Sequence, residues 1–428
     1  FDVIVEYAKR SPTDIFMIVT VHNRGPEDAP IHILPQIWFR NTWSWDEVVI
    51  APPEFREGDH GPGYVSIRGF HRELGNIHFY IEGESAPLFT NNETNNERLY
   101  GSHSRTPYTK DAFHERVVLG REAAVNPHRV GSKAAAWRSF SVPTRGSVVL
   151  RARLCPEVEP QPFESGDEIL HQRKSEADAF YLAIQGPNMS DDHRAIQRQA
   201  SAGLFWSMQF YHYDVDVWLR GDAIPPPAAR LRGRNKDFRH ISVADVISMP
   251  DKWEYPWYAA WDLAFHCVPL AMVDVEFAKQ QLILFLREWY MHPNGQLPAY
   301  EWNFGDVNPP VHAWACLQVY KMDKAKNGND DKVFLKRVFQ KLLINFTWWV
   351  NRKDHQGNNV FEGGFLGLDN IGVFDRSSYI PGGGYLEQAD GTAWMAMYCL
   401  NMLEMALILG EDDVAFEDVA TKFFEHFT

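Results

Sequence analysis

The sequence predicts a multidomain chain: an N-terminal antiparallel β-sandwich followed by an α/α-type helical barrel that is incomplete at the C-terminus. Three observations predict it. Up to about residue 155 the apolar residues fall in short β-rich runs, and from Ser165 onward they recur at helical spacing. The helices are also joined by long loops rich in glycine and aromatic rings, which are unusual as mere connectors and suggest a functional mouth. At 428 residues the chain has room for two or three domains.

The strand signals come first. Residues 1–7 alternate, and Asp14 to Asn23 and Ile31 to Phe39 are β-rich runs separated by the turn cluster Gly25 to Pro30. Tyr64 to Arg68, Ile77 to Glu82, Trp137 to Val142 and Ser147 to Leu154 repeat the theme, a spacing that suits a sandwich. The prolines between Pro156 and Pro162 mark a boundary. The expected division is a sandwich over 1–158 lacking its N-terminal part, a helical linker over 159–200, and a partial barrel over 201–428.

Helical spacing follows over Asp167 to Ala183, and then over Asp192 to Leu219, which reads as one long helix. Asp274 to Tyr290 carries an apolar stripe of Ala278, Leu282, Phe285 and Trp289, and His292-Pro-Asn-Gly295 stops it. Further helices are expected over Pro310 to Asp323, Asp331 to Asn351, Asp390 to Leu409 and Asp413 to Phe427. Asp390 and Gly410 are the residue types that helix starts and ends prefer.

Composition narrows the ligand. A net charge of −14 disfavours nucleic acid and anionic membrane as partners, leaving a neutral small molecule, a sugar or a protein. The 15 Trp and 16 Tyr favour carbohydrate modestly, since such rings form platforms for sugars as well as cores. Cys155, Cys267, Cys316 and Cys399 lie far apart without ligand spacing and are expected to be reduced and buried. No run of 18 apolar residues occurs, so no membrane span is expected. The strand-like first residues show no signal peptide, the chain is expected to begin within a fold, and the compartment is not legible.

The GxSxG, HExxH, P-loop and GxGxxG signatures are missing, which moves serine hydrolases, zinc peptidases and nucleotide folds down the order. What remains is carboxylates embedded in aromatics. In the segment Pro250 to His266, Asp262 stands beside Trp257, Tyr258, Trp261 and Leu263. Glycoside cleavage needs one carboxylic acid that protonates the leaving oxygen and a second carboxylate acting from the other face of the sugar. An apolar setting raises a carboxyl pKa by disfavouring the charged form, so Asp262 suits the first role. The alternative is that Asp262 caps the helix that follows. A second loop, Pro293 to Pro310, presents Glu301, Trp302 and Asp306; the two acids there could equally satisfy backbone amides. A third region, Phe361 to Trp394, offers Asp369, Asn370, Glu387 and Gln388 as hydroxyl binders among glycines, and lacks the alternating ligands of an EF-hand. The 17 His residues show no ligand spacing, and no metal or cofactor is expected.

These blocks resemble glycoside hydrolase family 63, the processing α-glucosidase family, most strongly its mannosyl-oligosaccharide-glucosidase-like branch. The likeness is carried by Trp206 to Asp214, Met249 to His266, Gly295 to Asp306 and Glu387 to Met395. It implies a β-sandwich before a catalytic (α/α)6 barrel, inversion of configuration, and Asp262, in the pair Trp261-Asp262, as general acid. It also places the family's general base farther from the acid than this chain extends, so the piece alone is expected to be inactive, with Glu387 a substitute candidate for the base. The resulting expectation is hydrolysis of an α-glucoside or α-glucosyl oligosaccharide. Trp257, Tyr258, Trp261 and Trp302 would stack on sugar, while Glu301, Asp306, Asp369, Asn370, Glu387 and Gln388 would hold hydroxyls. Two other readings stand beside it: a non-catalytic carbohydrate-binding or scaffold protein of the same fold, and another (α/α)6 activity such as a trehalase or phosphorylase.

Overall fold

The structure is a computed structural model; it describes residues 1–44, 51–221, 225–233, 235–249, 251–300, 308–352, 382–383 and 390–428. Contacts divide the chain into two compact units, residues 1–183 and 184–428.

Thirteen strands occur among the described residues, eleven of them in the first unit. A seven-stranded antiparallel sheet runs in the order β1 (Asp2–Ser11), β2 (Asp14–His22), β11 (Ser147–Cys155), β7 (Gly75–Glu82), β6 (Tyr64–His71), β5 (Phe55–Glu57) and β9 (Val130–Gly131). In a second antiparallel sheet β10 (Lys133–Val142) pairs with β3 (Ala29–Ile33), β4 (Gln36–Trp38) and β8 (Ala86–Thr90). Residues of both sheets, among them Val19, Ile67, Ile81 and Ala152 from the first and Phe89, Ala134 and Ala136 from the second, share one core.

Strand β2 shows why its sequence is apolar on both faces. Val19 and Val21 point into the shared core, while Phe16, on the opposite face, packs with Ala8 and with Ile169 of helix α3 (Gly166–Ile184). A side chain at Gly166 would meet the Phe16 ring at 3.1 Å, so glycine lets the helix approach the strand closely. On that face Arg153, opposite Phe16 in register, is 2% exposed. It makes a bidentate pair with Asp14 at 2.9 and 2.7 Å and also donates to Glu159 and to the Pro162 carbonyl. A buried guanidinium is stable only with its donors satisfied, and here they are.

In the second unit α4 (Asp191–Trp206), with Ser190 as its N-cap, ends early. The expected helix over 192–219 is broken. Met208–Asp214 is strand β12, paired in antiparallel register over all seven residues with β13 (Ser242–Ser248), and the helix resumes only as α5 (Val215–Arg220), capped by Asp214. The run Met-Gln-Phe-Tyr-His-Tyr-Asp carries consecutive aromatic rings, residue types that fit a pleated surface, and its partner lies beyond α5, outside any local window.

Among the described residues six longer helices follow in this unit: α6 (Ala260–Val273), α7 (Val275–Phe285), α8 (His312–Asn327), α9 (Lys332–Val350), α10 (Asp390–Gly410) and α11 (Ala415–Phe427). Their starts follow ordinary capping chemistry: the Asp274 carboxylate accepts from Phe277 N, and that of Asp331 from Phe334 N, each at 2.9 Å. Helix α7 stops five residues short of the expected Tyr290. The chain tightens into successive turns that carry Tyr290 back to stack on Phe285 at 4.7 Å, an arrangement a continued helix would forbid. Each of these helices packs on the next; α6 also packs on α8, α8 on α10, and α7 on α9. A single large core joins them.

All four cysteines are free and buried. Helix α10 is long and apolar enough over Gly391–Gly410 to cross a membrane by length and composition alone, which the count of uninterrupted apolar residues did not register. Its Tyr398, Met402, Met405 and Leu409 are buried in the common core.

Candidate active site

The segment before α6 is held by the loop that follows Gly295. Ala260 N donates to the Ala299 carbonyl at 3.2 Å, and Ala259 forms a bridge with Tyr300. Gly295 itself has φ +95° and sits with the Ile344 carbonyl 2.5 Å from where a Cβ would stand, so only glycine fits. Its carbonyl accepts from Asn345 Nδ2 of α9 at 2.8 Å. The start of α6 is thus tied to residues 295–300 and through them to α9.

Asp262 lies in the first turn of α6, half-buried. The N-cap is Ala259, which takes no side-chain hydrogen bond, so Asp262 does not occupy the capping position that the alternative required. Burial raises its carboxyl pKa above the ordinary range, opposed only by its own backbone N–H. The N-terminal end of a helix favours a charged carboxylate. Desolvation outweighs that here, and the protonated form gains.

The rings near it in sequence divide. Trp257 is half-buried and meets Tyr255 edge-on at 5.5 Å; Trp261 is half-buried and meets Phe265 at 5.8 Å. Tyr258, expected among the stacking rings, is a core residue: it is 1% exposed and packs edge-on against Tyr211, Phe285 and Tyr290. Its ring fixes the segment from beneath instead of offering a face to a ligand. Glu301, Trp302, Asp306, Asp369, Asn370, Glu387 and Gln388 lie outside the described residues.

Sequence reasoning passed over the histidines. His266, one turn after Asp262, pairs through Nδ1 with Ser248 Oγ at 2.8 Å, and burial lowers its pKa. His312, at the start of α8, is 5% exposed, and burial pushes its pKa down to about 4. Their signal was faint, because spacing gives no hint of contacts made between distant elements.

One cluster among the described residues has the composition of a metal site. Oxygens of Glu276, Asp323 and Asp331 lie within 4.8 Å of one another. The ammonium of Lys279 stands among them, 2.6 Å from Asp323, 2.7 Å from Asp331 and 3.3 Å from Glu276. It supplies the positive charge the carboxylates need, so the group reads as an ion-pair network joining α7, α8 and α9.

Residues 255–366, which hold Asp262, match the family model of the mannosylglycerate hydrolase MGH1-like glycoside hydrolase domain. Over 466 aligned positions the chain is 47% identical to the uncharacterized protein YMR196W of Saccharomyces cerevisiae, an alignment that takes in all of this chain and 43% of that protein. The chain therefore spans less than half the length of this relative. Among solved structures, a GH92-family glycosyl hydrolase, ccman5, is 10% identical with a TM-score of 0.28, covering 99% of this chain and 46% of the other. A putative kojibiose phosphorylase from the human microbiome is 8% identical with a TM-score of 0.29, covering 100% and 51%. Neither superposition is close enough to carry an argument. The family model names glycoside hydrolases of the MGH1-like kind and does not single out family 63. The part of the chain that carries Asp262 is thus similar to a glycoside hydrolase domain.

Proposed function

We propose that this chain is the acid-bearing part of an inverting glycoside hydrolase, with Asp262 donating the proton to the departing glycosidic oxygen. The observation that carries the reading is the coincidence of two facts at one residue. Asp262 lies in the segment similar to a glycoside hydrolase domain, and burial holds its carboxyl toward the protonated form. A general acid must keep its proton near neutral pH and release it as the C–O bond breaks. In an inverting reaction a second carboxylate activates water on the opposite face of the sugar. That base is not assigned among the described residues, and Glu387 is the candidate within the chain.

The proposed substrate is an α-glucoside or α-glucosyl oligosaccharide, and the proposed architecture of the second unit is an (α/α)6 barrel of the family 63 kind. The packing of α6 on α8 and α8 on α10, with α7 and α9 packed on each other, supports it, since alternate helices then form separate layers. Trp257 and Trp261, both half-buried, are the proposed stacking rings. The name of the matching family model favours a second substrate, mannosylglycerate.

Incubating the intact protein with small α-glucosides, glucosyl oligosaccharides and mannosylglycerate, and following the first-formed anomer by NMR, tests the reading. The expected result is release of a sugar with inverted configuration. A retained anomer overturns the inverting mechanism, and inactivity on all three classes overturns the hydrolase reading.

A further inference from the structure

A small cavity of about 20 Å³ lies behind Trp261. Its polar lining comes from four separate places: Asn308 in the loop before α8, His312 at the start of α8, Asn345 in α9 and Tyr398 in α10. Three of these are engaged. Asn308 Nδ2 donates to the Ala299 carbonyl at 3.4 Å, Asn345 Nδ2 to the Gly295 carbonyl, and Tyr398 Oη to Asn345 Oδ1 at 3.1 Å and the Leu342 carbonyl at 3.0 Å. The Nε2 of His312 is 2.8 Å from the Leu282 carbonyl. A carbonyl only accepts, so Nε2 carries the hydrogen. A neutral ring then leaves Nδ1 as a bare acceptor. That nitrogen is buried and has no hydrogen-bond partner among the described residues.

An unmatched buried acceptor costs free energy comparable to a lost hydrogen bond, and such groups in native proteins are as a rule satisfied by a ligand or an ordered water. The cavity volume is about what one water-sized group occupies. We propose that this cavity seats a single O–H donor, which gives its hydrogen to His312 Nδ1. Water is one source; a hydroxyl of the bound sugar, entering beside Trp261, is the other. The second source rests on the glycoside hydrolase reading; the site does not.

A crystal structure of the intact protein that resolves ordered water, determined free and after soaking with glucose, tests the proposal. One oxygen is expected within hydrogen-bond distance of Nδ1 in the free protein. Its replacement by a sugar hydroxyl identifies the sugar as source, and its persistence as water identifies water; either supports the site. A well-ordered but dry cavity, or a protein donor on Nδ1, overturns it. In solution, ¹⁵N NMR of the His312 ring is expected to show hydrogen on Nε2 alone, and a proton on Nδ1 contradicts the proposal. In His312→Phe, which fills similar space without an acceptor, the oxygen is expected to vanish; its retention in place would equally overturn the assignment. None of these readouts needs activity, so inactivity toward glycosides leaves the site's own test intact.

Discussion

Two aspartates of the helical unit face the same problem and solve it in opposite ways. Asp323 is buried against Lys279 and also accepts from Asn327 and Asn329, each at 2.7 Å. Burial alone would raise its carboxyl pKa, but these donors outweigh burial and hold it below the ordinary range. Asp262 is only half-buried, yet nothing but its own backbone N–H opposes desolvation, and its pKa rises. The first carboxylate is locked in its charged form and serves packing among three helices. The second has only its own backbone N–H to oppose burial, and burial favours its protonated form. Groups kept in an uncomfortable state by an otherwise rigid frame are where chemistry is to be sought.

Substitutions can separate the two. The largest expected effect is on turnover: Asp262→Asn in the intact protein should lower kcat by roughly 10²- to 10⁴-fold, the usual contribution of general acid catalysis. The same change should leave Tm unchanged or raise it, because it removes a carboxyl that is uncomfortable when charged. A marked fall in Tm, measured by calorimetry, would place Asp262 with the structural carboxylates instead.

Lys279→Met should do the reverse. It strands Asp323 and Asp331 without their cation, and breaking a buried pair in this way costs about 3–5 kcal/mol. Denaturant unfolding should show that loss while kcat per folded molecule holds. A loss below about 1 kcal/mol would mean that the network contributes no more than a surface pair.

Acid titration sharpens the contrast further. The folded-state pKa values of Asp323 and Asp331 are lowered, so the stability they contribute is present above their unfolded values and lost as pH falls through the folded ones. For Asp262, whose folded pKa is raised, the sign is opposite: the folded state binds the proton more readily, so its destabilising contribution fades as pH falls. Unfolding of the wild type and of Asp262→Asn across acid pH should therefore converge toward low pH. Divergence contradicts the assignment. The smallest expected effect is at a helix end, where Asp274→Ala should remove the cap of α7 and cost about 1 kcal/mol with no change in kcat.

What the sequence made legible was local. The change from alternation to helical spacing near residue 160, the helix starts at Asp274 and Asp331, and the apolar stripe of Ala278, Leu282 and Phe285 all act within a few residues of themselves. The half-burial of Asp262 fits its apolar sequence neighbours Trp261 and Leu263, which lie on the same first turn of α6. The failures share a cause: strand β12 depends on a partner beyond α5, Tyr258 is buried by rings from Tyr211 to Tyr290, and the Lys279 network and the His312 cavity are each assembled from several helices. Periodicity and motif carry no information about such meetings.

The central claim is that Asp262 supplies the proton to the leaving group, and leaving-group dependence tests it most directly. Wild type and Asp262→Asn should be compared on a glycoside with an alkoxide leaving group and on one with a dinitrophenolate, which departs without protonation. The account predicts a large loss of kcat on the first and near-normal bond cleavage on the second. Equal losses on both would contradict it.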